Sequence, residues 1–293
     1  MTIARNLLAI AAALSLSAPA HAQGEDGLRP QTGAVVLEQA QARMELGRDY
    51  AFYGPADTRR ILVDIWGNPP AEADGVLGLV MPAGSSPREK SWGAVVTWEP
   101  IGWVSSEAMR SADTDALLAR MQGETLRAND ARRARGFPAV TLIGWAQAPR
   151  HDSVRHSVTW GRELAFADGG PNGLHYDLRL LGRRGVLSLD IVGEIDQLGE
   201  IRAAADDLAT RVSFDPGARY ADFDAQRDEA AGYGIAGLIA TGAGVAVAKN
   251  VGLLAMLAKF AQPIGVALLV LAAALATPIR RWFRRRRNEP ARR

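Results

Sequence analysis

Residues 260–279 run for 20 positions without a formal charge and are followed at once by Arg280-Arg281-Trp282-Phe283-Arg284-Arg285-Arg286-Arg287. As a helix this stretch measures about 30 Å, the thickness of a bilayer's hydrocarbon core. An arginine cluster of that kind holds its end of the chain in the cytoplasm, and Trp282 and Phe283 suit the headgroup belt. The expectation is therefore one transmembrane helix over 260–279 with a cytoplasmic basic tail over 280–293.

The other end is consistent with that topology. Arg5 precedes an apolar run over 7–16, Ser17-Ala18-Pro19 breaks it, and Ala20-His21-Ala22 forms an A-x-A cleavage site before Gln23. These are the parts of a secretory signal peptide over 1–22, and the run is too short to span a bilayer. Between the two ends, 235–258 is hydrophobic but interrupted by Lys249-Asn250. A lysine at mid-bilayer costs roughly 2.5–3.5 kcal/mol, and two full spans would leave the arginines outside. The segment reads as an interfacial or re-entrant helix. Gly232, Ala236, Ala240, Gly244, Ala248 and Gly252 recur every fourth residue in it, a narrow face that another helix could approach closely. The general alanine and glycine bias of the chain explains the same spacing equally well.

Charge separates the body from the tail. The last 14 residues hold eight Arg against one Glu, whereas residues 23–234 hold 23 basic against 31 acidic groups, a net of −8. The pI of about 9.1 is thus a property of the terminus. An acidic body lacks the basic footprint of a nucleic-acid binder. The chain has no cysteine, which excludes disulfides, thiol chemistry, Cys-ligated metals and a lipoprotein anchor.

Within the exported part, 23–32 reads as a flexible linker, 33–215 as an α+β domain and 216–234 as a juxtamembrane linker. Short alternating strands are expected near 34–37 and 42–46. Pro55 opens a helix that Asn68-Pro69-Pro70 stops, and 92–98 alternates with Trp92, Ala94, Val96 and Trp98 on one side. Asp113 caps a long helix that Gly136 ends. A four-stranded antiparallel meander follows over 139–147, 154–166, 174–181 and 185–193, with turns at 149–153, 168–173 and 182–185. Ile195, Leu198, Ile201, Ala205, Leu208 and Val212 then mark a last helix. The fold class is α+β, an antiparallel sheet with helices on one face, plus the C-terminal transmembrane helix.

Signatures of chemistry are few. Gly232-Tyr233-Gly234-Ile235-Ala236-Gly237 matches G-x-G-x-x-G, but no strand precedes it and no acidic residue follows until Glu289, so it is not a dinucleotide site. Walker-A, G-x-S-x-G, S-x-x-K and H-E-x-x-H patterns are absent from the sequence. No cofactor or metal is expected. His175, Asp177 and Arg179 share one face of the third meander strand and are the first catalytic candidates, set against an ordinary solvated polar face. Trp103 and Trp145 sit beside glycines, where an aromatic can serve as a binding platform or simply pack.

Several stretches carry a resemblance: Arg135-Gly136-Phe137-Pro138, Gly144-Trp145-Ala146-Gln147-Ala148-Pro149, Leu181-Gly182-Arg183-Arg184-Gly185, Pro216-Gly217-Ala218-Arg219-Tyr220-Ala221-Asp222-Phe223 and Ala231-Gly232-Tyr233-Gly234-Ile235. In these the chain resembles a bacterial family of uncharacterised membrane-anchored proteins. The resemblance implies export and a membrane anchor and assigns no catalytic residue. The expected role is a non-enzymatic envelope module at the inner membrane, working through a protein partner or a second copy of itself, with lipid met by the anchor and basic tail. A hydrolase or ligand-binding enzyme built on the meander's polar face is the alternative.

Overall fold

Where the sequence places Trp92, Ala94, Val96 and Trp98 on one side of a strand, the structure puts all four against one hydrophobic core. The structure is a computed structural model that describes residues 27–106, 113–134 and 136–241. The chain divides into two compact units, Met1–Ala243 and Gly244–Arg293, and all described residues belong to the first. In chain order its elements are β1 (Ala34–Leu37), β2 (Ala42–Glu45), β3 (Tyr50–Tyr53), α1 (Pro55–Arg60), β4 (Val76–Pro82), β5 (Gly93–Glu99), α2 (Thr114–Ala134), β6 (Val140–Asp152), β7 (Ser157–Phe166), β8 (Gly173–Leu181), β9 (Val186–Glu194), α3 (Leu198–Arg211), β10 (Val212–Phe214) and α4 (Ile235–Thr241).

Seven antiparallel strands form the central sheet in the order β3-β4-β5-β9-β8-β7-β6, and β1, β2 and β10 form a second, small sheet. The register Leu79↔Val95, Val95↔Asp190, Asp190↔Asp177 and Asp177↔Trp160 puts these residues on one face, and Val80, Ala94, Ile191 and Tyr176 on the other. The second face carries the main core. Tyr176, Leu178, Leu189 and Ile191 pack there with Ile201, Ala205 and Leu208 of α3 and with Val35, Leu37 and Met44 of the small sheet. On the first face, Ile61 beyond α1 packs on Leu79 and Met81, while Ile235, Leu238 and Ile239 of α4 pack on Val158, Trp160, Leu181 and Val186.

The domain is α+β and antiparallel, but its helices cover both faces of the sheet, not one. The reason is visible in β7 to β9: Val158, Trp160, Leu181 and Val186 lie on the first face, and Leu178, Leu180, Leu187 and Leu189 on the other, so both faces hold apolar surface that needs cover. Among the described residues no helix is long and apolar enough to cross a membrane. The expected signal peptide, the span at 260–279 and the basic tail lie outside those residues, as does 242–258 of the interfacial or re-entrant helix expected over 235–258. The described start of that segment, 235–241, is α4, with Ile235, Leu238 and Ile239 buried against the sheet and not at an interface.

Local chemistry accounts for the boundaries. Asp113 caps α2, its Oδ1 accepting from the N–H of Ala116 at 2.9 Å. The β6–β7 hairpin lies later than expected, because β6 continues through Pro149 to Asp152. This is tolerated because β6 is the sheet's edge, where a missing N–H costs no ladder bond. That edge is partly closed: the Asn129 side chain donates to the Val140 carbonyl (2.9 Å) and accepts from its N–H (2.8 Å), as a neighbouring strand would. At the opposite edge Gln31 exchanges two backbone hydrogen bonds with Phe52. Leu28 is buried too, so the stretch expected as a free linker over 23–32 is tied down from about residue 28.

The segment 216–234 also differs from a linker. It forms a strap over the end of the sheet. Arg183 N–H donates to the Ala218 carbonyl, Trp103 N–H to Glu229 and Ala231 N–H to Trp103, and the Arg183 guanidinium pairs with Asp228 at 2.7 Å. Gly102 makes this approach feasible. Its φ is +87°, and a Cβ there would sit 2.6 Å from the Glu229 carbonyl oxygen.

Candidate functional site

Strand alternation brings the three catalytic candidates together. His175, Asp177 and Arg179 project from β8 on the first face, with Arg162 of β7 and Asp190 of β9 on the flanking strands. Asp177 is fully buried and Arg179 nearly so. Arg179 Nη2 donates to Asp177 Oδ1 at 2.8 Å and to Asp190 Oδ1 at 2.7 Å, and Arg162 Nη2 donates to Asp177 Oδ2 at 3.0 Å. His175 Nε2 lies 3.6 Å from Asp190 Oδ1 and 3.9 Å from Asp177 Oδ1. The Arg179 guanidinium also lies over the Trp160 ring, 5.2 Å from its centroid. A second polar link on the same face joins Ser188 Oγ to Glu99 Oε1 at 2.8 Å.

The electrostatics follow from burial and pairing. Full burial pushes the Asp177 carboxyl upward, against the pull of Arg162, His175 and Arg179. Burial pushes Asp190 the same way, but there Arg179 and His175 prevail and hold it well below the usual carboxylate range. Burial works against the Arg179 charge, and Asp190 and Asp177 more than restore it. Two arginines thus face two aspartates in the network.

His175, Asp177 and Asp190 place one donor atom each within 4.8 Å of one another, the spacing of a small metal site. The carboxylate oxygens involved are already ligands of Arg179. A cation entering there would meet a guanidinium at hydrogen-bond distance from both acids, so the donor set favours an internal ion network over a metal. A surface hollow of about 450 Å³ at the start of α1, lined in part by Arg29, Gln31, Asp57 and Arg60, shares no residue with the network.

The other candidates are accounted for by packing. Trp103 is not an open platform: Tyr220 covers one side at 4.9 Å between ring centroids and Phe223 stacks at 4.4 Å. His156 stacks in turn on Tyr220 at 4.4 Å, completing a four-ring pile. Trp145 is half-buried against the cluster that includes Val158 and Trp160, and donates its Nε1–H to the Thr114 carbonyl at 3.3 Å. Ala236 and Ala240 are half-buried flanks of α4, whose buried side is Ile235, Leu238 and Ile239. Gly244 and Ala248 lie outside the described residues.

Sequence reasoning missed Arg162, Asp190 and the partners of Trp103. The first two had a signal: a charge inside an otherwise apolar strand, as in Leu189-Asp190-Ile191, directly across from Asp177 once the register is set. Two of the stretches that carry the family resemblance meet in space, since Gly182 and Arg183 of one and Ala218, Arg219, Tyr220 and Phe223 of the other all lie in the strap contact.

That resemblance is now specific. Residues 29–275 match the family described as "Protein of unknown function (DUF2167)". The chain belongs to this family. No curated protein matches the DUF2167 chain. Among solved structures, that of cyanobacterial PsbP (CyanoP) from Synechocystis sp. PCC 6803 is similar over 62% of this chain and 91% of that one, at 13% identity and a TM-score of 0.33. A likeness that loose carries neither topology nor role across.

Proposed function

We propose that this DUF2167 protein is an exported, single-pass module of the inner membrane. In this reading its α+β domain faces the extracytoplasmic side, its arginine tail lies in the cytoplasm, and it acts through contact with a protein partner or a second copy of itself. One observation carries the non-enzymatic part. The trio best suited to catalysis is neutralised inside the protein, with both carboxylates ligated by Arg162 and Arg179. A general base must lie within reach of substrate, and Asp177 is fully buried with both oxygens held by arginines. The leader, the uncharged stretch at 260–279 and the following arginines support the tether, and lipid contact falls to the span and tail. The acidic body argues against nucleic acid as a partner.

The alternative, a ligand-binding enzyme or hydrolase on the polar face, draws on the half-exposed His175 and Asp190, which border solvent. A native mass spectrum of the full chain, extracted gently from its own membranes, separates the two. A second polypeptide or a second copy at fixed stoichiometry supports the tethered module. A stoichiometric metal or small molecule, lost in His175→Ala and Asp190→Asn, overturns it.

A further inference from the structure

Three features of the strap stand apart from the rest of the domain. Its apolar contacts form a cluster of their own, with Val104, Val158, Trp160, Leu181 and Val186 on the sheet side and Ile235, Leu238 and Ile239 on the strap side, separate from the main core. Its pairing to the sheet consists of single bridges, Gly182↔Arg219 and Trp103↔Ala230, where the strands themselves pair over long ladders. At its clasp stands His156, a residue that is not glycine at φ +50°, whose ring closes the aromatic pile on Tyr220. Glycine or asparagine would hold that turn at less backbone cost. The imidazole is the part of His156 that reaches the strap.

We propose that residues 216–241 are a stowed tether: a latch that opens as one unit while the sheet stays folded, with the pile His156–Tyr220–Trp103–Phe223 as its clasp. Opening gives up one small apolar cluster, the ring pile, the Arg183–Asp228 pair and a few backbone hydrogen bonds, and it returns the backbone freedom of the whole segment, the balance that governs sub-global opening. This rests on the membrane-tether reading above. Stretched out, 216–241 spans about 85 Å, so release lets the domain reach far from the residue that follows the latch. The latch thus sets two working distances for a partner, one close and one long.

The absence of cysteine from the chain makes the test clean. Ile235→Cys in the strap and Ile201→Cys in α3 replace equally buried residues of the same size. Each variant of the full chain in detergent is exposed to a maleimide under native conditions. The expected result is labelling of Cys at 235 at least tenfold faster than at 201. His156→Gly should raise the rate at 235 a further tenfold or so and leave 201 unchanged. Phe223→Ala, which touches the outer end of the pile, should act in the same direction and covers the case in which His156→Gly fails to fold. Equal rates at 235 and 201, or acceleration at both sites together, would mean that the strap opens only with global unfolding and would overturn the latch. Labelling reports the latch alone, whereas reporter fusions at residues 215 and 293 test the membrane topology independently.

Discussion

Replacing Asp177 by leucine should be among the most damaging single changes in this domain. The carboxylate is fully buried and accepts two charge-assisted hydrogen bonds, from Arg162 at 3.0 Å and from Arg179 at 2.8 Å. Such bonds contribute about 1.5–3 kcal/mol each, and deleting one member of a buried ion pair costs about 3–5 kcal/mol because the stripped charge stays buried. Arg162 has a side chain only 8% exposed and cannot easily carry its charge to water. The expected loss is therefore about 4 kcal/mol, a large fraction of a typical total of about 5–15 kcal/mol. Arg162→Met combined with Asp177→Leu removes both charges and leaves the Arg179–Asp190 pair intact. Exchange of a buried pair for apolar groups is often close to neutral, so the double variant should recover most of the loss. Urea titration of the full chain in detergent, followed by tryptophan fluorescence, reads both effects. With a slope of about 2–3 kcal/mol/M, the single variant should unfold at about 1.5 M less urea than the parent. A single variant within about 0.3 M of the parent, or a double variant as unstable as the single, would show that the network does not hold these charges as described.

Other outcomes follow from the same geometry. Stability should respond in opposite senses to the two acids, to Asp190 below the ordinary carboxylate value of about 4 and to Asp177 above it. Asp190, held low, binds fewer protons folded than unfolded, so its contribution is present above the ordinary carboxylate range and fades as pH falls through its folded value. Asp177, pushed up, binds more protons folded than unfolded and makes stability fall as pH rises above that ordinary value. Urea midpoints should thus flatten with pH below it in Asp190→Asn and steepen above it in Asp177→Asn. Gly102→Ala forces a side chain into a positive-φ position and against the Glu229 carbonyl; it should cost about 1–2 kcal/mol or more and speed amide exchange in 216–234 before any other segment. Zinc added to the purified chain should leave its urea midpoint unchanged, and a rise abolished by His175→Ala would contradict the ion-network reading. Leucine at Ala240 and Gly244 should weaken detergent-stable complexes if the small-residue face packs on another helix, and unchanged complexes would remove that idea.

Much of the sheet can be read from residue order alone. The alternation of 92–98, the turn residues around Gly182-Arg183-Arg184-Gly185 and the Asp113 cap are local signals, and local signals survive into the fold. The small sheet is harder, since β10 is three residues that become a strand only because β2 lies beside them, with Val212 opposite Met44. Cover on both sheet faces was hidden for a related reason. Val158, Trp160 and Leu181 read as interior residues in either case, and nothing in their spacing says what lies over them. The His175, Asp177 and Arg179 trio was legible because one strand carries it. Its meaning changed when cross-strand neighbours supplied two more charges, which depends on register and not on sequence proximity. The strap was missed because Gly217, Asp224 and Gly232 give 216–234 the composition of a linker, while what fixes it is a set of long-range contacts to Trp103, His156 and Arg183.

The closure of the sheet's two outer strands matters most if the proposed tether concentrates the protein on a surface. Chains confined to a plane meet one another far more often than the same number free in solution, and an open strand edge is a template that neighbours can extend. Here Asn129 occupies the Val140 end of one edge, bulges and Pro149 roughen the remainder, and Gln31 zips the other. Crowding therefore finds little unpaired backbone to work on. Asn129→Ala would leave the fold largely in place yet hand adjacent copies a free pair of hydrogen-bonding groups, making edge-to-edge aggregation the expected outcome.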